Sequence, residues 1–358
     1  MPEPLATPKQ PSPEVDSMFS RENGSSSVDD SRAAGTFLSR LKPYFSIARP
    51  DHWFKVVFML AGIVLAIFYD YTTFRDNFSW LTLVLAVASA CIVASSNYVI
   101  NEILDAPTDS AHPVKRNRPI PSGEISLPIA YAEWIGLGIL GLAMAWQVNM
   151  PYFIVSAALL VMGLIYNIPP LRSKELPYAD VITESINNPI RLLMGWFVVL
   201  PSVIPPVSLL VAYWMVGAFF MASKRFAEYR SIDDPEAAGR YRKSFRYYDD
   251  NRLLVSMFFY AASSALMLGV FIIRYKLELL LSVPLIAGFF SFYMHVTLKP
   301  DSPVQNPEHL YREKWLMVYL IVCVLAFFGL MFTEIPVLYD LFNVEPSRLD
   351  PLWKFGSP

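Results

Sequence analysis

Long apolar runs separated by short charged gaps dominate the chain. WLTLVLAVASACIVASSNYVI, LLVSMFFYAASSALMLGVFII and WLMVYLIVCVLAFFGLMF each hold about 18 or more residues without a charge. At about 1.5 Å per residue such runs cross a hydrocarbon core of about 30 Å as helices. The pattern predicts spans near 54–69, 80–103, 126–148, 152–168, 190–203, 206–223, 253–274, 277–297 and 315–332. The fifth is short and flanked by prolines, so the count is nine with it and eight without it. The expected fold class is all-α, a polytopic transmembrane helical bundle of about nine spans.

Composition agrees, and charge adds a direction. The 358 residues are 54% hydrophobic and 17% charged, and the charges fall in the gaps. The 29 prolines and eight tryptophans suit helix breaks and interfacial anchors. The amino terminus and the loops after spans two, four, six and eight hold 24 of the 29 Lys and Arg. Only Arg75, Arg274, Lys276, Arg348 and Lys354 lie on the other side, so the positive-inside rule puts the basic face in the cytoplasm. This predicts an integral protein of the cytoplasmic (inner) membrane, with no nucleic-acid partner. Residues 1–35, rich in Pro, Ser and acids, read as a disordered cytoplasmic tail without the apolar centre of a secretory signal. Residues 36–335 form the expected transmembrane catalytic domain and 336–358 a C-terminal tail. Cys91 and Cys323 fall inside spans and read as small core residues rather than a disulfide or metal pair.

Ionisable groups in membrane helices face other helices or a wet cavity. Four clusters do so at cytoplasmic ends. In NEILDAPTD, helical spacing puts Asn101, Glu102, Asp105 and Asp109 at about 0°, 100°, 40° and 80°, one face that Asn97 extends. Converging carboxylates need a cation, and oxygen-only ligands suit Mg²⁺. Pro107 disfavours helical geometry at Ala106, which places Asp109 on a turn or a new short helix. The plainer account is a solvated helix end. His112, Lys115, Arg116 and Arg118 follow, donors for phosphate or a topogenic basic loop meeting anionic lipid. In DVITESINNPIR, Asp180, Glu184, Asn187 and Arg191 share an arc of about 60° that lines a cavity or a packing network, with Pro189 breaking the helix. Tyr166 and Arg172 precede it and can close the same cavity. In SKRFAEYR, Lys224 and Arg225 can both meet Glu228, in a site or on a surface amphipathic helix.

The string N-E-x-x-D-x-x-x-D resembles the first aspartate-rich motif, N-D-x-x-D-x-x-x-D, of the UbiA superfamily of membrane prenyltransferases, with Glu102 one methylene longer. Its continuation HPVKRNRPIPSG resembles D-x-x-H-P-x-K-R-x-R-P-I-x-x-G of the decaprenyl-phosphate phosphoribosyltransferase branch. ARPDHWFK and SKRFAEYR resemble that branch's R-P-x-x-W-x-K and K-R-x-x-E stretches, and the resemblance covers about residues 45–330. The family's second D-x-x-x-D is absent: Asp233, Asp234, Asp249 and Asp250 come as adjacent pairs, leaving Glu228 to fill that role. The family's Y-x-x-x-K-R is also altered, Tyr166 leading into PPLRSK.

The resemblance implies Mg²⁺-dependent transfer of 5-phosphoribose from phosphoribosyl pyrophosphate to a polyprenyl phosphate in the bilayer. It makes Glu102, Asp105, Asp109 and Glu228 the metal ligands, and Asp105, Asp109 and Lys115 the catalytic set. Lys55, Asn101, Lys115, Arg116, Arg118, Tyr166, Arg172, Asp180, Arg191, Lys224, Arg225, Arg240 and Arg242 are the implied substrate-binding residues. Charge supports that branch: a sugar diphosphate with an extra phosphate, plus a lipid phosphate of about −1.5 to −2, needs more cations than one prenyl diphosphate. The alternatives are prenyl transfer to an aromatic acceptor and a membrane transporter. The one-sided clusters and lack of an inverted repeat argue against the transporter.

Overall fold

The apolar runs fold as helices, and among the described residues no strand forms. The computed structural model describes residues 37–110, 115–232 and 234–345. The tail over 1–35, His112, Asp233 and residues 346–358 lie outside them. The chain divides into residues 1–41 and 42–358. Of the first unit only 37–41 are described, as the start of helix α1 (Phe37–Ile47).

The second unit is a bundle. A 3-10 segment, Pro50–Val57, leads into α2 (Phe58–Tyr69), α3 (Tyr71–Asn77) and the long α4 (Trp80–Asp109). There follow α5 (Leu127–Val148), α6 (Met150–Asn167), α7 (Ala179–Ser185), α8 (Asn187–Val199) and α9 (Val207–Arg230). Last come α10 (Pro235–Tyr241), α11 (Asp250–Tyr275), α12 (Val283–Thr297), α13 (Lys314–Met331) and α14 (Pro336–Phe342). Side-chain oxygens start several helices by accepting an otherwise unpaired backbone N–H. Asp70 takes that of Thr73 at 2.9 Å, Asn149 that of Tyr152 at 2.8 Å and Asp249 that of Arg252 at 2.8 Å.

Eight helical segments among the described residues are long and apolar enough to span a membrane, the first from Lys42 to Tyr69 rather than from residue 54. The expected fifth span differs. It comes as α7 and α8, broken at Ile186, and the 13 residues of α8 reach only about 20 Å. Pro189 lies in the first turn of α8, where no intrahelical N–H partner is required. Pro107 does not end α4 either, a correction to the turn expected at Asp109. It falls in the last turn, where the hydroxyls of Thr108 and Ser110 donate to the carbonyls of Asp105 and Pro107. The expected C-terminal tail begins with α14, held by buried Glu278, which accepts from the Ile335 N–H and the Tyr339 hydroxyl, both at 3.0 Å.

Packing sets the site's walls. Gly62 of α2 and Gly195 of α8 face each other so closely that a Cβ on either would overlap the carbonyl oxygen of Leu192 or Met59. Small residues at such crossings let membrane helices approach backbone to backbone. Buried side chains form three clusters: one around Trp196 and Tyr152, one around Phe226 and Tyr293, and one around Ile100 and Ile120. Phe258, Leu325 and Trp315 are exposed, as lipid-facing positions require.

Candidate functional site

A cavity of about 390 Å³ opens where the C-terminal ends of α4, α6 and α9 meet the amino-terminal 3-10 segment. The α4 acids divide around it. Asp105 lines the cavity and accepts from Lys174 Nζ at 2.6 Å and Arg172 Nη2 at 3.0 Å. The Lys174 ammonium also donates to Asn101 Oδ1 at 3.1 Å and Asn167 Oδ1 at 2.9 Å. Glu102 and Asp109 instead hold the loop after α4. Glu102 Oε1 accepts from the Ile120 N–H at 3.2 Å, and Asp109 Oδ2 from Arg118 Nη1 at 2.7 Å. Helical geometry explains the split. Residues 101 and 105 form one i, i+4 row facing Lys174 and Arg172 beyond α6, while 102 and 109 form an i, i+7 row facing the loop after α4.

The four carboxylates Glu102, Asp105, Asp109 and Glu228 are therefore not brought together, and among the described residues no three His, Cys, Asp or Glu side chains gather as a metal cluster. What gathers is one carboxylate with amide oxygens. Asn97 Oδ1 and Asn187 Oδ1, both on residues lining the cavity, are buried and without a hydrogen-bond partner. Mg²⁺ is commonly held by one or two carboxylates and completed by phosphate oxygens. The oxygens of Asp105, Asn101 and Asn167, already gripping an ammonium, fit that role.

Cations dominate the remaining wall. Lys115 and Arg118 enter from the α4–α5 loop, Arg49 and Lys55 from the amino-terminal segment, and Arg191 from α8. Lys224 and Arg225 come from α9, Arg242 from beyond α10, and Lys174 completes nine Lys and Arg against the three carboxylates Asp105, Glu184 and Glu228. Arg225 Nη1 lies 2.8 Å and Lys224 Nζ 3.9 Å from Glu228, and Lys55 Nζ donates to the Tyr98 hydroxyl at 3.3 Å. The Lys115 ammonium lies 5.1 Å from the centre of the Tyr241 ring. Arg49 (φ 50°) and Arg172 (φ 28°) take left-handed backbone conformations, strain that surrounding contacts must hold in place. Burial holds the Lys115 ammonium below its ordinary pKa; Asp109 opposes the shift and Arg118 and Arg242 add to it. Like charges repel by about 4 kcal/mol per pair at 4 Å and an effective dielectric of 20, and less at longer range. An anion with several oxygens relieves that repulsion.

Of the expected substrate-binding residues, Lys55, Asn101, Lys115, Arg118, Tyr166, Arg191, Lys224, Arg225 and Arg242 line the cavity. Four do not. Asp180 is fully buried behind it, accepting from the Tyr248 hydroxyl at 2.7 Å and Arg225 Nε at 3.0 Å. Arg172 stands behind Asp105 and is bonded to Glu175 at 2.7 Å. Arg116 is exposed, and Arg240 points to solvent beside Asp234 at 3.5 Å. Sequence reasoning missed Lys174 and Arg49, although PPLRSK and ARPDHWFK contain them. It also missed Asn167, whose position at the end of α6 is its only sequence signal.

Comparison with known proteins shows the family. A decaprenyl-phosphate phosphoribosyltransferase of Mycobacterium tuberculosis is 30% identical over 210 residues, 57% of this chain and 65%, just under two thirds, of the relative. A protoheme IX farnesyltransferase of Oceanobacillus iheyensis is 23% identical over 62% of this chain and 70% of its own. The solved structure of a UbiA homolog from Archaeoglobus fulgidus bound to DMAPP and Mg²⁺ superimposes with a TM-score of 0.60 and 19% identity, covering 82% of this chain and all of that one, so the fold is shared. The model of the UbiA prenyltransferase family matches residues 56–311, more than half of the sequence, and the chain belongs to that family.

Proposed function

We propose that this protein transfers 5-phosphoribose from phosphoribosyl pyrophosphate to a polyprenyl phosphate at the cytoplasmic face of the inner membrane, releasing pyrophosphate. The observation that carries this reading is a cavity wall of nine cations against three lining carboxylates, with Asp109 and Asp180 pairing from behind it. Nine cations against those five carboxylates still exceed what a Mg²⁺-bound prenyl diphosphate offsets. The names of the 30%-identical relatives support the same reading.

In this mechanism Asp105, Asn101 and Asn167 would hold Mg²⁺. When bound, Mg²⁺ supplies Lewis-acid neutralisation of charge on the departing pyrophosphate. Lys115, Arg118 and Arg242 grip the donor phosphates, the arginines as bidentate donors. Lys224 and Arg225 hold the lipid phosphate. Its anionic oxygen attacks C1 of the ribose as the C1–O bond to pyrophosphate breaks through an oxocarbenium-like state. The attacking oxygen carries no proton, so no general base is needed. Asp109 acts through Arg118 and Lys115, and the cavity's fixed charges act by preorganisation.

Prenyl transfer is the second reading, favoured by the name of the farnesyltransferase relative. Against it, the second acidic motif of prenyl-transferring relatives is reduced here to Glu228, and Asp233, Asp234, Asp249 and Asp250 come only as adjacent pairs. Purified protein offered labelled phosphoribosyl pyrophosphate or labelled prenyl diphosphate, with polyprenyl phosphate and Mg²⁺, separates the two. Chelator-sensitive label in the organic phase from the first donor supports the proposal. Such label from the second donor alone overturns it.

A further inference from the structure

We infer that Lys174 is an internal competitor for the metal: its ammonium is held by the three oxygens that would ligate Mg²⁺, so the metal binds strongly only together with a diphosphate that draws the ammonium away. The inference rests on reading this cavity as a metal–diphosphate site.

The geometry is specific. A lysine ammonium has three N–H donors, and here each has an acceptor: Asp105 Oδ1 at 2.6 Å, Asn167 Oδ1 at 2.9 Å and Asn101 Oδ1 at 3.1 Å. The acceptors come from two helices, α4 and α6, and the side chain is buried. Mg²⁺ requires oxygens at about 2.0–2.1 Å, closer than an ammonium allows, so the two cations cannot share the nest. The backbone of Lys174 is fixed: Arg242 Nη1 donates to its carbonyl at 3.2 Å, and neighbouring Glu175 is tied to Lys243 at 2.6 Å. Its four-carbon stem remains free to carry the charge from the nest to a phosphate. Arg172 touches the same Asp105 oxygen at 3.0 Å without an asparagine contact, which makes it the matched control.

Mn²⁺ binding to the purified full chain, followed by electron paramagnetic resonance with and without inorganic pyrophosphate, tests this. K174M should bind Mn²⁺ alone about tenfold or more tighter than wild type, a coupling of ordinary size. Pyrophosphate should tighten Mn²⁺ about tenfold in wild type and less than about threefold in K174M, while R172M should change binding of the metal alone by less than about threefold. K174Q, which keeps an uncharged donor for the same oxygens, serves the same purpose if K174M does not fold. Mn²⁺ binding no tighter in either Lys174 variant, or an equal gain in R172M, overturns the inference. Because no ribose donor is used, the result stands apart from the transfer assay, whose failure would remove the substrate assignment alone.

Discussion

Asp180 Oδ2 and Arg225 Nε lie 3.0 Å apart in an ion pair almost wholly withdrawn from solvent. The pair joins α7 to α9, and its arginine reaches on to Glu228 in the cavity. Removing Asp180 leaves Arg225 with Glu228 and takes the acceptor from the buried Tyr248 hydroxyl; breaking a buried pair in this way costs about 3–5 kcal/mol. D180A should therefore lower the thermal midpoint in detergent, and D180N, which keeps an acceptor oxygen for the Tyr248 hydroxyl, should lower it less. Equal losses in the two variants would show that the Tyr248 hydrogen bond contributes nothing.

Glu102 needs only an acceptor oxygen to hold the Ile120 N–H. E102Q keeps one and should retain transfer within about threefold, while E102A should lose about tenfold or more, the scale of one buried hydrogen bond left unmade. Equal inactivation by both would return Glu102 to the metal.

Arg240 and Arg242 are two residues apart with opposite surroundings, one in solvent and one lining the cavity. R240A should leave the KM for the donor unchanged. R242A should raise it about tenfold or more, because a charged hydrogen bond contributes about 1.5–3 kcal/mol. Steady-state kinetics on the two variants decides it.

Gly195 has no room for a methyl group against Met59. G195A should cost about 1–3 kcal/mol by overpacking, read as a lower thermal midpoint. An unchanged midpoint would mean that α2 and α8 separate easily.

At the far membrane face, side-chain hydrogen bonds from Thr72 and Thr73 and the Thr73 N–H hold Asp70 below the usual carboxylate range, at about 2. A lowered folded value means the stabilisation is present above the unfolded value of 3.8 and is lost as pH falls through about 2. Thermal midpoints recorded from pH 5 to pH 2 should fall more steeply for wild type than for D70N.

Most spans were legible because lipid demands uncharged runs of fixed length, and the acidic and basic halves of 101–118 were legible because both signs of charge are rare beside such runs. The shortness of the fifth span was legible too, but its α7 segment and the break at Ile186 were not. Its α7 portion is buried by protein and carries polar residues, so its hydropathy does not read as a span. The division of the α4 acids into two rows was also hidden: sequence spacing gives their angles on the helix but not which neighbour each row meets. Lys174 escaped for a related reason, since its role depends on oxygens from Asn101 and Asn167, 73 and seven residues away.

The three buried clusters around Trp196, Phe226 and Ile100 have a mechanical consequence. The cavity meets the first through Leu159 and the second through Met221, and the pairs Asp105–Lys174, Asp180–Arg225 and Asp109–Arg118 stitch its walls together. A polyanion that competes for those cations loosens the stitching while leaving each oily cluster intact. The charges proposed to recognise a substrate thus also act as the fasteners of its compartment, and binding there would trade one set of seams for another.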